Sequence, residues 1–210
     1  MGLPGFTSPL WLSGPVRDLS VHGDAMANAV REIEVKYRVI EPAALVRVLN
    51  DRGCVFSEPI RQDDQAYAVN GWSYGQSKTG AVFARLRTEN GRHRFCVKKP
   101  LDNELACAEH ETEVLARKEM HEAILAMGFY PTIRIVKTRR TARLGRMLLC
   151  LDEVDGLGTF FEIEAMVSGD RPAGEVQHEL DAFARSLGVD LVRSTETYDS
   201  LLRAALSANR

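Results

Sequence analysis

The sequence predicts an α+β fold in which about eight antiparallel strands close into a β-barrel, with helices packed outside. Two observations carry this prediction. Apolar and charged residues alternate with period 2 through much of the chain, which is the signature of half-buried strands. The charged sides also keep like charges together: Glu32 with Glu34, Arg85 with Arg87, Glu111 with Glu113, Lys137 with Arg139, and Glu162 with Glu164. The opposite sides are apolar, as in Ile33 and Val35, Ala84 and Leu86, Phe95 and Val97, Leu149 and Leu151, and Phe161 and Ile163. If the helices cover the apolar sides, the charged sides point inward and line a tunnel. That inverts the usual barrel, whose interior is apolar.

The elements follow in order. Residues 1–28 are rich in Gly, Pro and Ser, show no period, and are expected to form a flexible N-terminal tail; Trp11 and Leu12 have no readable docking place. Residues 29–210 form one domain, which could begin as early as Met26. A first strand runs from Glu32 to Tyr37. Pro42 opens a helix to about Arg52, with Leu45, Val46 and Leu49 on one side and Gly53 as its stop. Strands are expected over 54–60, 63–69, 81–89 and 92–99, with Asn90-Gly91 as the hairpin turn between the last two. Residues 70–80, with Gly71, Gly75 and Gly80, read as a loop. A strand over 108–115 leads into a helix over 117–127, stopped by Gly128. Strands follow over 132–141, 146–152 and 157–167. A helix from Pro172 to Leu187 and a final helix over 196–207 complete the chain.

Composition narrows the function classes. The formal net charge is -2, so bulk attraction to nucleic acid is not indicated, and an anion site must be built from local basic clusters. No apolar run approaches the roughly 18 residues that span a membrane. Pro4, Pro9 and Pro15 interrupt the N-terminus, which does not read as a secretory signal. Cys54, Cys96, Cys107 and Cys150 lack metal-site spacing and are expected to be reduced, mostly buried thiols of a cytoplasmic protein. His93, His110, His121 and His178 are not expected to act as a catalytic base.

Charge type assigns the chemistry. Like charges at i and i+2 repel, and a site holding metal cations beside a polyanion removes both repulsions. Hard Mg²⁺ or Mn²⁺ prefers carboxylate oxygens. The first and last strands meet when a barrel closes, so Glu32, Glu34, Glu162 and Glu164 are expected to share an ion. Arg forks match phosphate oxygens, and Lys supplies compact charge. Lys36, Arg85, Arg87, Arg94, Lys98, Lys137 and Arg139 are the expected anion-binding set. Arg87 is read as having no protein partner as its main purpose. Asp152 shares the inward parity of its strand and is a second-metal or lysine-orienting candidate. Asp64 and Tyr67 could face a substrate, and Tyr198 reads as a packing and capping residue.

These residues resemble a known family. Glu32-Ile33-Glu34-Val35-Lys36 resembles the ExExK signature of the CYTH superfamily, the triphosphate tunnel metalloenzymes. Arg85-Leu86-Arg87, Lys98, Glu111-Thr112-Glu113, Lys137-Thr138-Arg139, the run from Leu151 to Glu164 and the segment from Ser194 to Leu202 are similar to later family motifs, in family order. The resemblance covers about 31–205. It implies an enzyme that uses Mg²⁺ or Mn²⁺ to act on a small-molecule triphosphate. Tyr37-Arg38-Val39 is similar to the class IV adenylyl cyclase branch, which makes cyclic AMP and pyrophosphate from ATP. The alternatives are a tripolyphosphatase, a thiamine triphosphatase, or a non-catalytic nucleotide- or polyphosphate-binding module. It also implies Lys36, Arg139 and Asp152 as catalytic residues, and Glu32, Glu34, Glu111, Glu113, Asp152, Glu162 and Glu164 as metal ligands. A homodimer is compatible with the resemblance. The chain departs from the family pattern at Glu109, where Arg is frequent, at Ala142, where Tyr is frequent, and in the longer Gly71–Gly80 loop.

Overall fold

The computed structural model describes residues 30–208; the expected tail over 1–28 lies outside the described residues. The strands are β1 (Arg31–Val39), β2 (Ile60–Val69), β3 (Phe83–Glu89), β4 (Arg92–Pro100), β5 (Ala106–Val114), β6 (Phe129–Leu144), β7 (Met147–Val154), β8 (Gly158–Val167) and β9 (Leu191–Ser194). The helices are α1 (Pro42–Asp51), α2 (Arg117–Ala126), α3 (Ala173–Ser186) and α4 (Tyr198–Ala208).

The sheet runs β5-β4-β3-β2-β6-β7-β8-β1, and a β1–β5 pairing closes it into a ring of eight antiparallel strands. One edge of β1 serves two partners. Arg31–Ile33 pair with β5, and Lys36–Val39 pair with the extra strand β9. Between them, the Glu34 amide donates to the Leu105 carbonyl at 2.9 Å, so the edge stays hydrogen-bonded throughout.

The expected split of faces is present. Ile33, Val35, Leu149, Phe161 and Ile163 are fully buried on the outer side, against Leu45 and Leu49 of α1 and Val176, Leu180 and Ala184 of α3. Each such side chain contributes about 1.5–3 kcal/mol on burial. Tyr67, Ala84 and Leu86 pack against Ile124 of α2. Tyr198 and Leu201 of α4 pack on Ile135, Val154, Leu157 and Phe160.

Local chemistry sets the turns. Asn90 (φ 48°) and Gly91 (φ 74°) both adopt the left-handed conformation that a two-residue hairpin requires. Gly53 (φ 80°) ends α1, where the Cys54 amide returns to the Leu49 carbonyl at 2.9 Å.

Two expectations are corrected. Residues 54–59 are not a strand; the ladder begins at Ile60, directly after Pro59, which has no amide hydrogen to give it. The strand β9 was not expected, because four residues are too few to display a period. The four cysteines are free and buried, as expected.

Candidate active site: a charge-lined tunnel

The inward faces of the ring line a cavity of about 610 Å³. Among the described residues, it carries eight lysines and arginines against ten carboxylates. Every one of those cations already faces a carboxylate in an ion pair.

The first cluster arises from strand register. β1 and β8 place Glu34 directly opposite Glu164, and Lys36 opposite Glu162. Like charges directly opposite on a sheet destabilise it unless something lies between them. Carboxylate oxygens of Glu34, Glu162 and Glu164 all lie within 4.8 Å of one another. Lys36 Nζ stands 3.3 Å from Glu34 and 3.2 Å from Glu162. Burial and then the Glu162 carboxylate push the Glu34 acid up to about 8. Glu162 goes the other way, to about 2: burial opposes ionisation, but Lys36 and Arg139 outweigh it. Burial also disfavours the Lys36 ammonium, yet Glu34 and Glu162 reverse this, and its net shift is upward.

Asp152 is the hub of a second cluster. It is fully buried on β7, opposite Arg139 of β6. Lys137 Nζ donates to it at 2.7 Å, Arg139 Nε and Nη2 at 2.7 and 2.6 Å, and the Tyr198 hydroxyl at 3.0 Å. Arg139 also donates to Glu162 and, at 3.2 Å, to Glu164, which joins the two clusters. Burial raises the Asp152 acid, but Lys137 and Arg139 outweigh it and hold the carboxylate ionised. Lys137 is shifted downward, first by burial and then by Arg139. The Tyr198 ring lies beneath two ammonium groups, 4.3 Å from Lys36 and 4.8 Å from Lys137.

The remaining charges line other parts of the tunnel wall. Arg87 makes a buried two-pronged contact with Asp64, at 2.7 Å on each arm. Burial alone would raise the Asp64 acid, but Arg87 brings it down to about 2. Arg85 reaches Glu111 at 2.9 Å, and Arg94 bridges Glu89 and Glu111 at 3.0 and 3.3 Å. Lys98 pairs with Glu109 and lies 3.6 Å from Glu32.

Several expectations change. Glu32 does not join the three-carboxylate cluster, because it sits beside Lys98 and Glu109 instead. Glu111 is held by Arg85 and Arg94, and Glu113 is exposed beside Arg92 and does not line the cavity. Asp152 stands in the wall with all its contacts made by Lys137, Arg139 and Tyr198, the lysine-orienting alternative. Arg87 does have a dedicated protein partner, Asp64. Tyr198 packs in the core at the start of α4, as expected, and lines the tunnel as well; Glu109 places a carboxylate against Lys98. Tyr198 gave no period-2 signal because a helix start delivers it; Asp64 shares β2 parity with Gln62 and was legible as an inward residue.

A family model described as the CYTH domain matches residues 30–198. The chain belongs to the CYTH domain family. Members of this family generally act on triphosphates and use divalent metals. A Methanocaldococcus jannaschii protein with a provisional adenylate cyclase name is 24% identical over 160 residues, covering 75% of this chain and 90% of that protein. The structure of the PH1819 protein from Pyrococcus horikoshii OT3 aligns with a TM-score of 0.69 at 24% identity, over 85% of this chain and 99% of that one. HpAC1 from Hippeastrum, provisionally named an adenylyl cyclase and described as having a dominant triphosphatase activity, aligns at 0.54 with 18% identity over 83% and 95% of the two chains. Among the described residues, no helix is long and apolar enough to cross a membrane.

Proposed function

We propose that this CYTH protein is a divalent-metal-dependent enzyme acting on a triphosphate inside the tunnel, with cyclisation of ATP to cyclic AMP and pyrophosphate as its first candidate reaction. The observation that carries this reading is the three-carboxylate cluster of Glu34, Glu162 and Glu164 set against Lys36, Lys137 and Arg139.

The donor set suits Mg²⁺ or Mn²⁺: three hard oxygens, with room for waters in the cavity beyond them. When bound there, such an ion supplies Lewis-acid polarisation of phosphate oxygens. The protein's own contribution is charge redistribution. With more carboxylates than cations in the lining, a polyanion alone would be repelled. Neutralising Glu34, Glu162 and Glu164 frees Lys36 and Arg139 to meet phosphate oxygens. Asp152 keeps Lys137 and Arg139 aimed inward while they do so. Arg85 and Lys98 extend the contact along the tunnel. Glu32 and Glu111 contribute through tunnel cations rather than through the ion, and Glu113, beside Arg92 outside the cavity, through neither.

In the cyclase reaction the ribose 3′-oxygen bonds to the α-phosphorus, the bond to pyrophosphate breaks, and the hydroxyl proton leaves to solvent or a tunnel carboxylate. The preference for cyclisation rests on the Tyr37-Arg38-Val39 continuation of the first strand and on the name of the archaeal relative. Hydrolysis of tripolyphosphate or thiamine triphosphate would use the same cations, with water attacking the terminal phosphorus. The test is incubation with ATP, tripolyphosphate and thiamine triphosphate in Mg²⁺ or Mn²⁺, with products separated by chromatography. Cyclic AMP with pyrophosphate supports the cyclase, orthophosphate supports the hydrolase, and no metal-dependent turnover of any of the three overturns the enzyme reading.

A further inference from the structure

Lys78 is a buried lysine in the long loop between β2 and β3, a segment that none of the charged motifs includes. It is 5% exposed and its ammonium is saturated. It donates to both Asp199 oxygens at 3.0 and 3.1 Å, to Ser200 at 2.8 Å and to the Thr197 hydroxyl, and lies 3.3 Å from Glu104.

The topology gives this cluster a location. In an antiparallel ring, the connections β2–β3, β4–β5 and β7–β8 all lie at one end. Glu104 belongs to the β4–β5 connection, and α4 packs over Val154 and Leu157 at the β7–β8 turn. Lys78 therefore ties three separate segments together across one mouth of the tunnel. Trp72, packed edge-on against Phe83 at 4.9 Å between ring centres, and Tyr198 line the same cavity as the residues of that tie. At the opposite end, Arg94 and Glu111 are partly exposed, with 42% and 33% of their side-chain surfaces open. The Lys78 tie thus bridges one end of the tunnel, while the charged side chains at the other end are partly open to solvent.

We propose that Lys78 is a specificity-determining latch: by closing this mouth it restricts the tunnel to triphosphates that carry a bulky group on one end only. The inference rests on the triphosphate reading above. A chain entering from the open mouth must finish inside, so one terminus has to be small. A triphosphate bearing nucleosides at both ends has no place for the second one. The ammonium of Lys78 touches neither the three-carboxylate cluster nor Asp152, so the latch is separable from the charge chemistry.

The test uses the full chain and two probes of equal charge. One is ATP carrying a methyl ester on its terminal phosphate; the other is a dinucleoside triphosphate. Binding of each is measured by calorimetry in Mg²⁺, for the wild type and for Lys78→Met, which keeps the apolar stem and removes the ammonium. Asp199→Asn is the second variant, should Lys78→Met fold poorly. The wild type is expected to bind the methyl ester at least about tenfold more tightly, and the variant to narrow that gap to about threefold or less. A gap unchanged in both folded variants overturns the latch, as does a wild type that binds both probes equally. A second readout needs no triphosphate. Cys107 lines the tunnel at the start of β5, beside the latch, and is 8% exposed. Its labelling by a maleimide, located by mass spectrometry, should accelerate at least about tenfold in the variants. Unaltered labelling overturns the latch whatever binds. Accelerated labelling in a protein that binds no triphosphate supports the latch and defeats the triphosphate reading instead.

Discussion

Replacing Asp152 by Asn tests the electrostatic design of the tunnel wall most directly. The carboxylate is fully buried and accepts four hydrogen bonds at 2.6–3.0 Å from Lys137, Arg139 and Tyr198. Its two cationic partners are themselves nearly enclosed, with 4% and 13% of their side-chain surfaces open. An exposed ion pair of this kind would be worth about 0–1 kcal/mol. Removing one partner of a buried pair costs about 3–5 kcal/mol, because the remaining charge is left in a poorly solvated place. Arg139 keeps Glu162 and Glu164, so most of the loss falls on Lys137, whose ammonium burial already disfavours. For a domain of this size, about 2–4 °C of melting temperature is lost per kcal/mol, so the expected drop is roughly 6–20 °C. Calorimetric melts of wild type and Asp152→Asn without ligand measure it. Two controls sharpen the result. Lys137→Met in the Asp152→Asn background should recover part of the loss, since it removes the stranded charge. Tripolyphosphate with Mg²⁺ should stabilise the variant, because it gives Lys137 a new anionic partner. An Asp152→Asn melt within about 2 °C of wild type would refute the account of Asp152 as the charge that holds Lys137 and Arg139 in place.

Glu34 gives a pH prediction. Its acid is pushed up to about 8 in the folded protein, so the folded state holds a proton that the unfolded chain releases near the usual carboxylate range. Stability of the metal-free protein should therefore be greatest at low pH on this account and fall as pH rises toward about 8, and Glu34→Gln should flatten that fall; a metal-free melting profile with the same slope in both proteins contradicts it. Glu162→Gln and Glu164→Gln should each shrink the melting shift produced by Mg²⁺ or Mn²⁺, whereas Glu113→Gln, outside the cavity, should leave it at the wild-type value. Arg87→Ala strands Asp64 and should cost about 3–5 kcal/mol in denaturant titrations. Arg85 faces the tunnel, its buried Nε has no partner among the described residues, and its ion-pair partner Glu111 is one-third open and also held by Arg94, so Arg85→Ala should cost little stability but about 1.5–3 kcal/mol of tripolyphosphate affinity by calorimetry. Equal stability losses in the two variants would mean that their roles are misassigned.

Strand parity is a local property, and it is why so much of the architecture was legible in the chain alone. The alternation of Glu32, Glu34 and Lys36 with Ile33 and Val35 requires one charged and one apolar face whatever the partner strand is. The recurrence of such strands, with the Asn90-Gly91 turn, determined an antiparallel sheet with charge on its inner side. What each charge would touch depends on register, which no single strand contains. Glu34 meets Glu164 across the β1–β8 ladder, whereas Glu32 lies opposite Met166 there and meets Lys98 only because the other edge of β1 pairs with β5 when the ring closes. Asp152 and Glu164 have the same inward parity, but only the packing of β6 against β7 buries the first between Lys137 and Arg139. Tyr198 and Lys78 arrive from a helix start and a loop, where the sequence has no period to read. The sequence by itself determined which side chains face inward. Closure of the ring decided which of them neutralise one another, since opposite charges from distant strands meet only when the last strand pairs with the first.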